Sequence, residues 1–329
     1  MQTVLVFNPV SGKGKAQANV EAVSRALQTA GHTTTLVETQ RSDSKSWLLP
    51  KLADCDLLIV CGGDGTVLLV LDSVLESGVP IYHMPEGTEN LFARGFGMSA
   101  QPDKVVAAVN RFRQVKVDVG QANGQRFLLM ASLGFDAEVV HDLAVRRAGS
   151  ISHLSYIRPM LRQLFRWRPP PLRVVIDGRD LLDVHAAPSL SDFEEQVNGQ
   201  VSMQSSTRRG FVIVANSRCY ALGLNPAPQA SIQDGQLDVV FVPVRRAWHV
   251  LWWLLLLLCG RFQHSRRISV GQGRVIEISA ASRQRFQLDG DPAEDVANVD
   301  CDGPWQLSVT VKHGQLSVIV PADSDNLPI

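Results

Sequence analysis

The chain has 329 residues, and its 32 Lys and Arg balance its 32 Asp and Glu, giving a formal net charge of zero. Hydrophobic residues at 45% and charged residues at 19% exclude a mostly disordered, collagen-like or coiled-coil chain. The length implies about two domains, and neutrality argues against the strongly basic footprint of a bulk nucleic-acid binder.

In chain order, Thr3 to Phe7 reads as a buried strand, followed by a Gly/Ser/Lys loop and a helix from Ala16 to Ala30 that stops at Gly31. Thr33 to Glu38 and Asp56 to Cys61 read as further strands. The second of these enters Gly62-Gly63-Asp64-Gly65-Thr66, then a helix from Val67 to Ser77 and a short strand from Ile81 to Met84. Alternating strands and helices with short loops predict a parallel sheet covered by helices, with ligands at the carboxyl ends of the strands. After about Val115 the rhythm changes to strand-sized segments separated by turn signals: 115–119, 126–132, 173–176, 211–215, 237–242, 275–279, 285–288 and 306–311. These predict a mainly antiparallel second domain, interrupted by helical insertions at 137–166 and 247–261 and by a polar, patternless loop at 189–209.

Five cysteines (Cys55, Cys61, Cys219, Cys259, Cys301) are odd in number and form no CxxC pair, so reduced, buried thiols are expected rather than a disulfide framework or zinc site. The chain opens on a strand with no basic n-region or cleavable apolar segment, which makes the cytoplasm the expected compartment. The run Val250 to Cys259 is about half the length needed to cross a bilayer, so a core or interfacial helix is expected there.

The chemistry concentrates in three polar glycine loops. Gly62-Gly63-Asp64-Gly65-Thr66 follows a buried strand and opens a helix, where free backbone amides and the helix dipole favour phosphate. Asp64 could hold magnesium or orient a nucleotide, Thr66 could donate its hydroxyl, or either could cap the helix. Asn8-Pro9-Val10-Ser11-Gly12-Lys13-Gly14-Lys15 has the composition of a Walker loop but not its order. Pro85 to Arg94 is the third loop. The eight histidines form no HxH or HExxH spacing.

Asn8-Pro9-x-Ser11-Gly12, Gly62-Gly63-Asp64-Gly65-Thr66, Pro85-x-Gly87-Thr88-x-Asn90 and Leu288-Asp289-Gly290-Asp291 occur in order. At these spacings the chain resembles the diacylglycerol kinase catalytic-domain family, which includes bacterial lipid kinases, sphingosine kinases and ceramide kinases. Val117 to Gly120, Gly134 to Ala137, and Asn216 through Asp234-Gly235-x-Leu237-Asp238 also look like family segments. The resemblance implies an α/β protein: an N-terminal Rossmann-like parallel α/β domain (1–117, completed by 314–329) and a C-terminal, mainly antiparallel β-sandwich domain (118–313). It also implies an ATP-dependent kinase acting on a lipid hydroxyl, diacylglycerol or a related glycerolipid first among them. Nucleotide contacts would fall at Asn8, Ser11, Gly12, Thr39, Gly62, Gly63, Asp64, Gly65, Thr66, Val67, Leu68 and Thr88. Asp291 would be the general base and Asp118 the aspartate supporting it. Magnesium would be held at Asp234 with backbone oxygens of Ser231 and Gln236. Two positions depart from the family pattern: Asp291 stands where Glu is usual, and Leu91 replaces an acid, with Glu89 beside it. Because Gly-Gly-Asp-Gly-Thr is shared with NAD kinases, an NAD kinase is the enzymatic alternative, and a nucleotide-binding regulator without catalysis is the alternative from another class.

The two helical insertions are basic. From His141 to Arg173 there are seven arginines (among them Arg146 and Arg147) and one acid, Asp142; from Arg245 to Arg274 there are six arginines and no acid. With Trp248, Trp252 and Trp253 in the second stretch, the pattern is that of a peripheral helix on anionic lipid. The expected partners are a lipid substrate and an anionic membrane surface at the inner face of the membrane, with no nucleic acid; a homodimer is compatible with the sequence.

Overall fold

The computed structural model describes residues 1–9, 11–14, 16–145, 153–183, 207–293 and 304–321. The N-terminal part runs β1 (Gln2–Phe7), α1 (Ala16–Thr29), β2 (Thr33–Glu38), α2 (Ser44–Trp47), β3 (Leu57–Gly62), α3 (Asp64–Ser77), β4 (Ile81–Pro85), α4 (Leu91–Gly95) and α5 (Pro102–Arg111). There follow β5 (Gln114–Ala122), β6 (Gln125–Phe127), β7 (Met130–Leu133), α6 (Phe135–Val145), α7 (Ile157–Arg166), β8 (Pro171–Ile176), β9 (Arg179–Asp180), β10 (Arg208–Ala215) and β11 (Leu237–Pro243). The chain continues with α8 (His249–Leu258), β12 (Ser269–Gly273), β13 (Val275–Ala280), β14 (Phe286–Leu288), β15 (Asp291–Pro292) and β16 (Trp305–Ile319).

Strands β2, β1, β3 and β4 are parallel neighbours in that order. All six residues of β3 are buried, as a central strand covered on both faces requires. Helix α1 packs beside α5, and α3 beside α2. The strand order turns at β1: α1 leads outward from β1 to β2, whereas α3 leads from β3 to β4 on the other side. The loops after β1 and β3 therefore part at the carboxyl edge and leave a crevice between them.

The C-terminal part is a sandwich, as expected. One sheet holds β8, β13, β16, β5, β6 and β9; the other holds β7, β10, β11, β12, β14 and β15. Period-two alternation divides the second sheet between two cores. Val212, Val214, Val239 and Phe241 face the sandwich interior with Ile276, Ile278 and Leu307. Phe211, Ile213, Val240 and Val242 face a layer that includes Phe135 of α6, Leu164 of α7 and Trp253 of α8.

Several elements differ from the sequence-based expectation. The strand expected at 306–311 and the start of the segment expected to complete the first domain are one 15-residue strand, β16, whose register shifts between Lys312 and Leu316. Its far end pairs in parallel with β4 through Val318 and Ile81, so one strand joins the N-terminal parallel strands to the β8–β13–β16–β5 side of the sandwich. The expected strand at 126–132 is broken into β6 and β7. Helix α5 was not expected, although Pro102 at its first turn and buried Val105, Ala108 and Val109 mark it. The 137–166 insertion contains α6 and α7, and most of the expected 189–209 loop lies outside the described residues. Of the thiols expected to be buried, Cys61 is; Cys55 and Cys219 are half-buried and Cys259 is exposed, while Cys301 lies outside the described residues.

Asp118 ties the crossover together. Fully buried on β5, it accepts hydrogen bonds from Gly314 N–H at 2.7 Å, His313 Nδ1 at 2.8 Å and Gly235 N–H at 2.6 Å. The first two donors lie in the β16 irregularity and the third in the turn before β11. Asn216 adds a second tie, donating from Nδ2 to the carbonyls of Asp118 and Leu128.

Candidate active site

The crevice is built from glycine backbones in contact. An added Cβ at Gly87 would lie 2.6 Å from Gly63 Cα and 2.7 Å from Asn90 Oδ1; one at Gly62 would collide with the Thr66 side chain. No side chain caps α3 at Gly63, which leaves its leading amides for a ligand or water. Asn90, at φ 48°, locks the third loop by accepting from Gly87 N–H at 2.7 Å and donating to Gly87 O at 2.8 Å. Glu86 bridges to the first loop: it accepts from Asn19 Nδ2 at 2.8 Å, and its Oε2 lies 2.8 Å from where a Cβ on Gly12 would sit.

Asp64 has a role the sequence did not suggest. It caps α4 rather than its own helix, accepting from Leu91 N–H at 2.8 Å and Phe92 N–H at 3.0 Å. One carboxylate thus fastens the second glycine loop to the third. Leu91, standing where an acid was expected, sends its side chain into the core. Glu89 is ion-paired with Arg94 at 3.4 Å. Sequence reading also missed His83. Buried on β4, it places Nε2 3.0 Å from Gly62 O, so Nε2 carries the proton and steadies the loop. Burial holds its pKa below the usual range, against the pull of nearby Asp64.

The second domain reaches this crevice through Asp291. Its Oδ2 lies 3.0 Å from the Cβ position of Gly65, over the first turn of α3. The supporting turn is held from both sides. Asp289, in the left-handed region at φ 50°, accepts from the amides of Leu128, Leu129 and Met130 at 2.7–2.8 Å. Burial nevertheless pushes its carboxyl up to about 7. Gly290 N–H donates to Gln287 Oε1 at 2.7 Å, and Gln287 Nε2 donates to Ser132 Oγ at 2.7 Å. Ser132 hydrogen-bonds Asp136, which also accepts from Tyr220 Oη at 3.1 Å. An ion pair between Arg126 on β6 and Asp72 on α3 spans the same junction.

Residues 2–122 match the family model of the diacylglycerol kinase catalytic domain, and residues 130–320 match that of the YegS C-terminal NAD kinase beta sandwich-like domain. A diacylglycerol kinase of Mycobacterium tuberculosis is 30% identical over 241 residues, 70% of each chain. The chain belongs to the diacylglycerol kinase family. A further diacylglycerol kinase, from Bacillus subtilis, is 22% identical over 87% of this chain and 88% of its own. The crystal structure of a diacylglycerol kinase from Bacillus anthracis shares the fold, with a TM-score of 0.64 at 17% identity over 98% and 97% of the two chains. This member of the family is thus a phosphotransferase of the lipid-kinase type.

Within the kinase, the remaining expected site residues fall into two places. Asn8, Ser11 and Gly12 follow β1 at the crevice edge, where Asn8 N–H donates to Cys61 O at 3.2 Å and Ser11 N–H to Asn8 O at 3.0 Å. Thr39 follows β2, its N–H on Phe7 O at 2.9 Å, and Thr88 is exposed in the third loop. Thr66 and Val67 are buried and Leu68 partly so, which restricts Val67 to a main-chain role. Asp118 sits instead at the second place, with the Ser231–Gln236 segment. There Asp234 accepts from Gln236 N–H at 2.9 Å and Gln272 Nε2 at 3.0 Å. Burial and the neighbouring Asp234 charge push Asp238 up to about 6. Among the described residues no three His, Cys, Asp or Glu side chains form a metal cluster, so a cation here would rest on Asp234 and main-chain oxygens.

Proposed function

We propose that the protein transfers the γ-phosphate of ATP to the hydroxyl of diacylglycerol or a closely related glycerolipid. The observation that carries this reading is the Asp291 carboxylate over the first turn of α3. A proton acceptor there meets a hydroxyl at the point where helix amides receive phosphate. The glycine cradle fits a polyphosphate, because backbone approaches where side chains would block it. Asp64 and His83 position the cradle; Asp289 and Gln287 position the base. Magnesium at Asp234, with oxygens of Ser231 and Gln236, would offset the charge that raises Asp238. That cation would neutralise charge in the second domain, while Asp118 holds the same segment to β16.

Labelled ATP with magnesium, offered with diacylglycerol, monoacylglycerol, phosphatidylglycerol, a sphingoid base and NAD, tests the reading. Label is expected in phosphatidic acid. Label in NADP alone would replace the reading by an NAD kinase, and ATP binding without transfer to any acceptor would replace it by a regulator.

A pH dependence follows from Asp289. Because its carboxyl is pushed up to about 7, the folded protein keeps that proton until the pH passes this value. Only the ionised form accepts from all three amides without a competing O–H, so kcat is expected to rise through pH about 7 and to lose this step in Asp289→Asn. Stability has the opposite sign. The folded pKa exceeds the unfolded value of about 3.9, so native protein holds the extra proton between those pH values and loses stability as pH rises across them. Profiles of kcat and thermal midpoint against pH check both signs; a wild-type kcat flat from pH 6 to 8 would remove the titration.

A further inference from the structure

Helices α7 and α8 both pack on the outer face of the β7–β10–β11 sheet, and each leaves an apolar stripe in solvent. On α7, Ile157, Leu161 and Phe165 recur every four residues and are 45%, 50% and 80% exposed. Leu164, between them in sequence, is buried in the shared core. At the N-cap of α8 and along it, Trp248, Leu251, Trp252, Leu255 and Leu258 follow helical spacing and are 48–66% exposed. The opposite side of α8 is anchored by Trp253, which is buried and donates from Nε1 to Pro243 O at 3.0 Å. Such stripes at helical period are how a helix presents one face to an apolar phase.

The charge around the stripes selects that phase. Arg158, Arg166 and Arg168 flank the first, and Arg245, Arg246, Arg261, Arg266 and Arg267 flank the second; all eight are exposed. None is ion-paired among the described residues. Neither 157–173 nor 245–274 contains an acid. A second copy docked here about a two-fold axis would set arginine rim against arginine rim. No described helix is long and apolar enough to cross a membrane, and α8 at ten residues is about 15 Å long, suited to lying in the plane of an interface. We infer that the α7–α8 face is a docking surface for an anionic lipid bilayer, with both apolar stripes seated below the headgroups and the arginines among them.

This inference stands on the surface and not on the kinase reading, and the test separates them. The full chain is floated with vesicles of phosphatidylcholine alone or with about 30% of the anionic lipid phosphatidylglycerol, across a salt series. Binding is expected with the anionic vesicles and to weaken with salt. Arg261→Gln, Arg266→Gln and Arg267→Gln should each weaken it about 5-fold. Phe165→Ser with Trp252→Ser should weaken it at least about 10-fold, with circular dichroism and thermal midpoint unchanged because both side chains are exposed. Activity on lipid in detergent micelles should survive in the double variant and fall on vesicles, whereas failure of the kinase reading removes both activities and leaves flotation intact. Equal binding to neutral vesicles at high salt, unchanged flotation of the double variant, or a solution dimer abolished by the same substitutions would each overturn the inference.

Discussion

Asp291→Asn is expected to lower kcat for phosphoryl transfer by about 10²–10⁴-fold, the usual contribution of a positioned general base. Amide replaces carboxylate at nearly constant shape, so the strand pair Leu288–Asp291 and the turn behind it persist. The side chain is exposed, and its loss as an acceptor should leave the thermal midpoint and ATP affinity near wild type. Steady-state kinetics with ATP and diacylglycerol, together with nucleotide binding, read the difference. Asp291→Glu restores the carboxylate usual in the family and should retain measurable turnover. Equal kcat for wild type and Asp291→Asn would show that another group accepts the proton.

The second large effect is expected from Gly87→Ala. Its methyl would lie 2.6 Å from Gly63 Cα and 2.7 Å from Asn90 Oδ1, and the first of these neighbours is backbone that no rotamer change relieves. The second and third glycine loops must separate, which strains the Asn90–Gly87 clamp and the bonds from Leu91 and Phe92 to Asp64. Overpacking of this kind costs about 1–3 kcal/mol, so ATP affinity should fall by about 10–100-fold. Gly65→Ala gives the contrast: its methyl would meet Asp291 Oδ2 at 3.0 Å, the movable end of a side chain. It should therefore lower kcat more than it weakens ATP binding. Isothermal titration and kcat for the two variants separate a cradle defect from a displaced base; wild-type ATP affinity in Gly87→Ala would show that the loop contact does not shape the cradle.

Much of the architecture was legible in local pattern. The buried run 57–62 and the glycine stop at Gly31 announce a parallel sheet and a helix end because strand burial and left-handed backbone leave short-range signatures. Period-two segments after residue 115 announce the sandwich in the same way. Asp64 was visible as chemistry but not as the α4 cap, because its donors are 27 and 28 residues away. Asp289 was hidden for the same reason: its three donors lie about 160 residues earlier, and a sequence shows only an Asp-Gly turn. The α7 stripe escaped notice among its arginines, since three apolar residues spaced by four carry little signal until the buried side of the helix is known.

The sequence by itself determined the alternation of strands and helices, the glycine loops at strand ends and the basic, tryptophan-bearing insertions. Each is set by neighbours within one turn, one strand or one loop. Tertiary structure alone decided which loops touch, that one strand joins the parallel strands to one side of the sandwich, that Asp118 joins β16 to the turn before β11, and that Asp291 comes to rest over Gly65. Those outcomes depend on contacts between residues scores to hundreds of positions apart, whose pairing is set by the packing of whole layers.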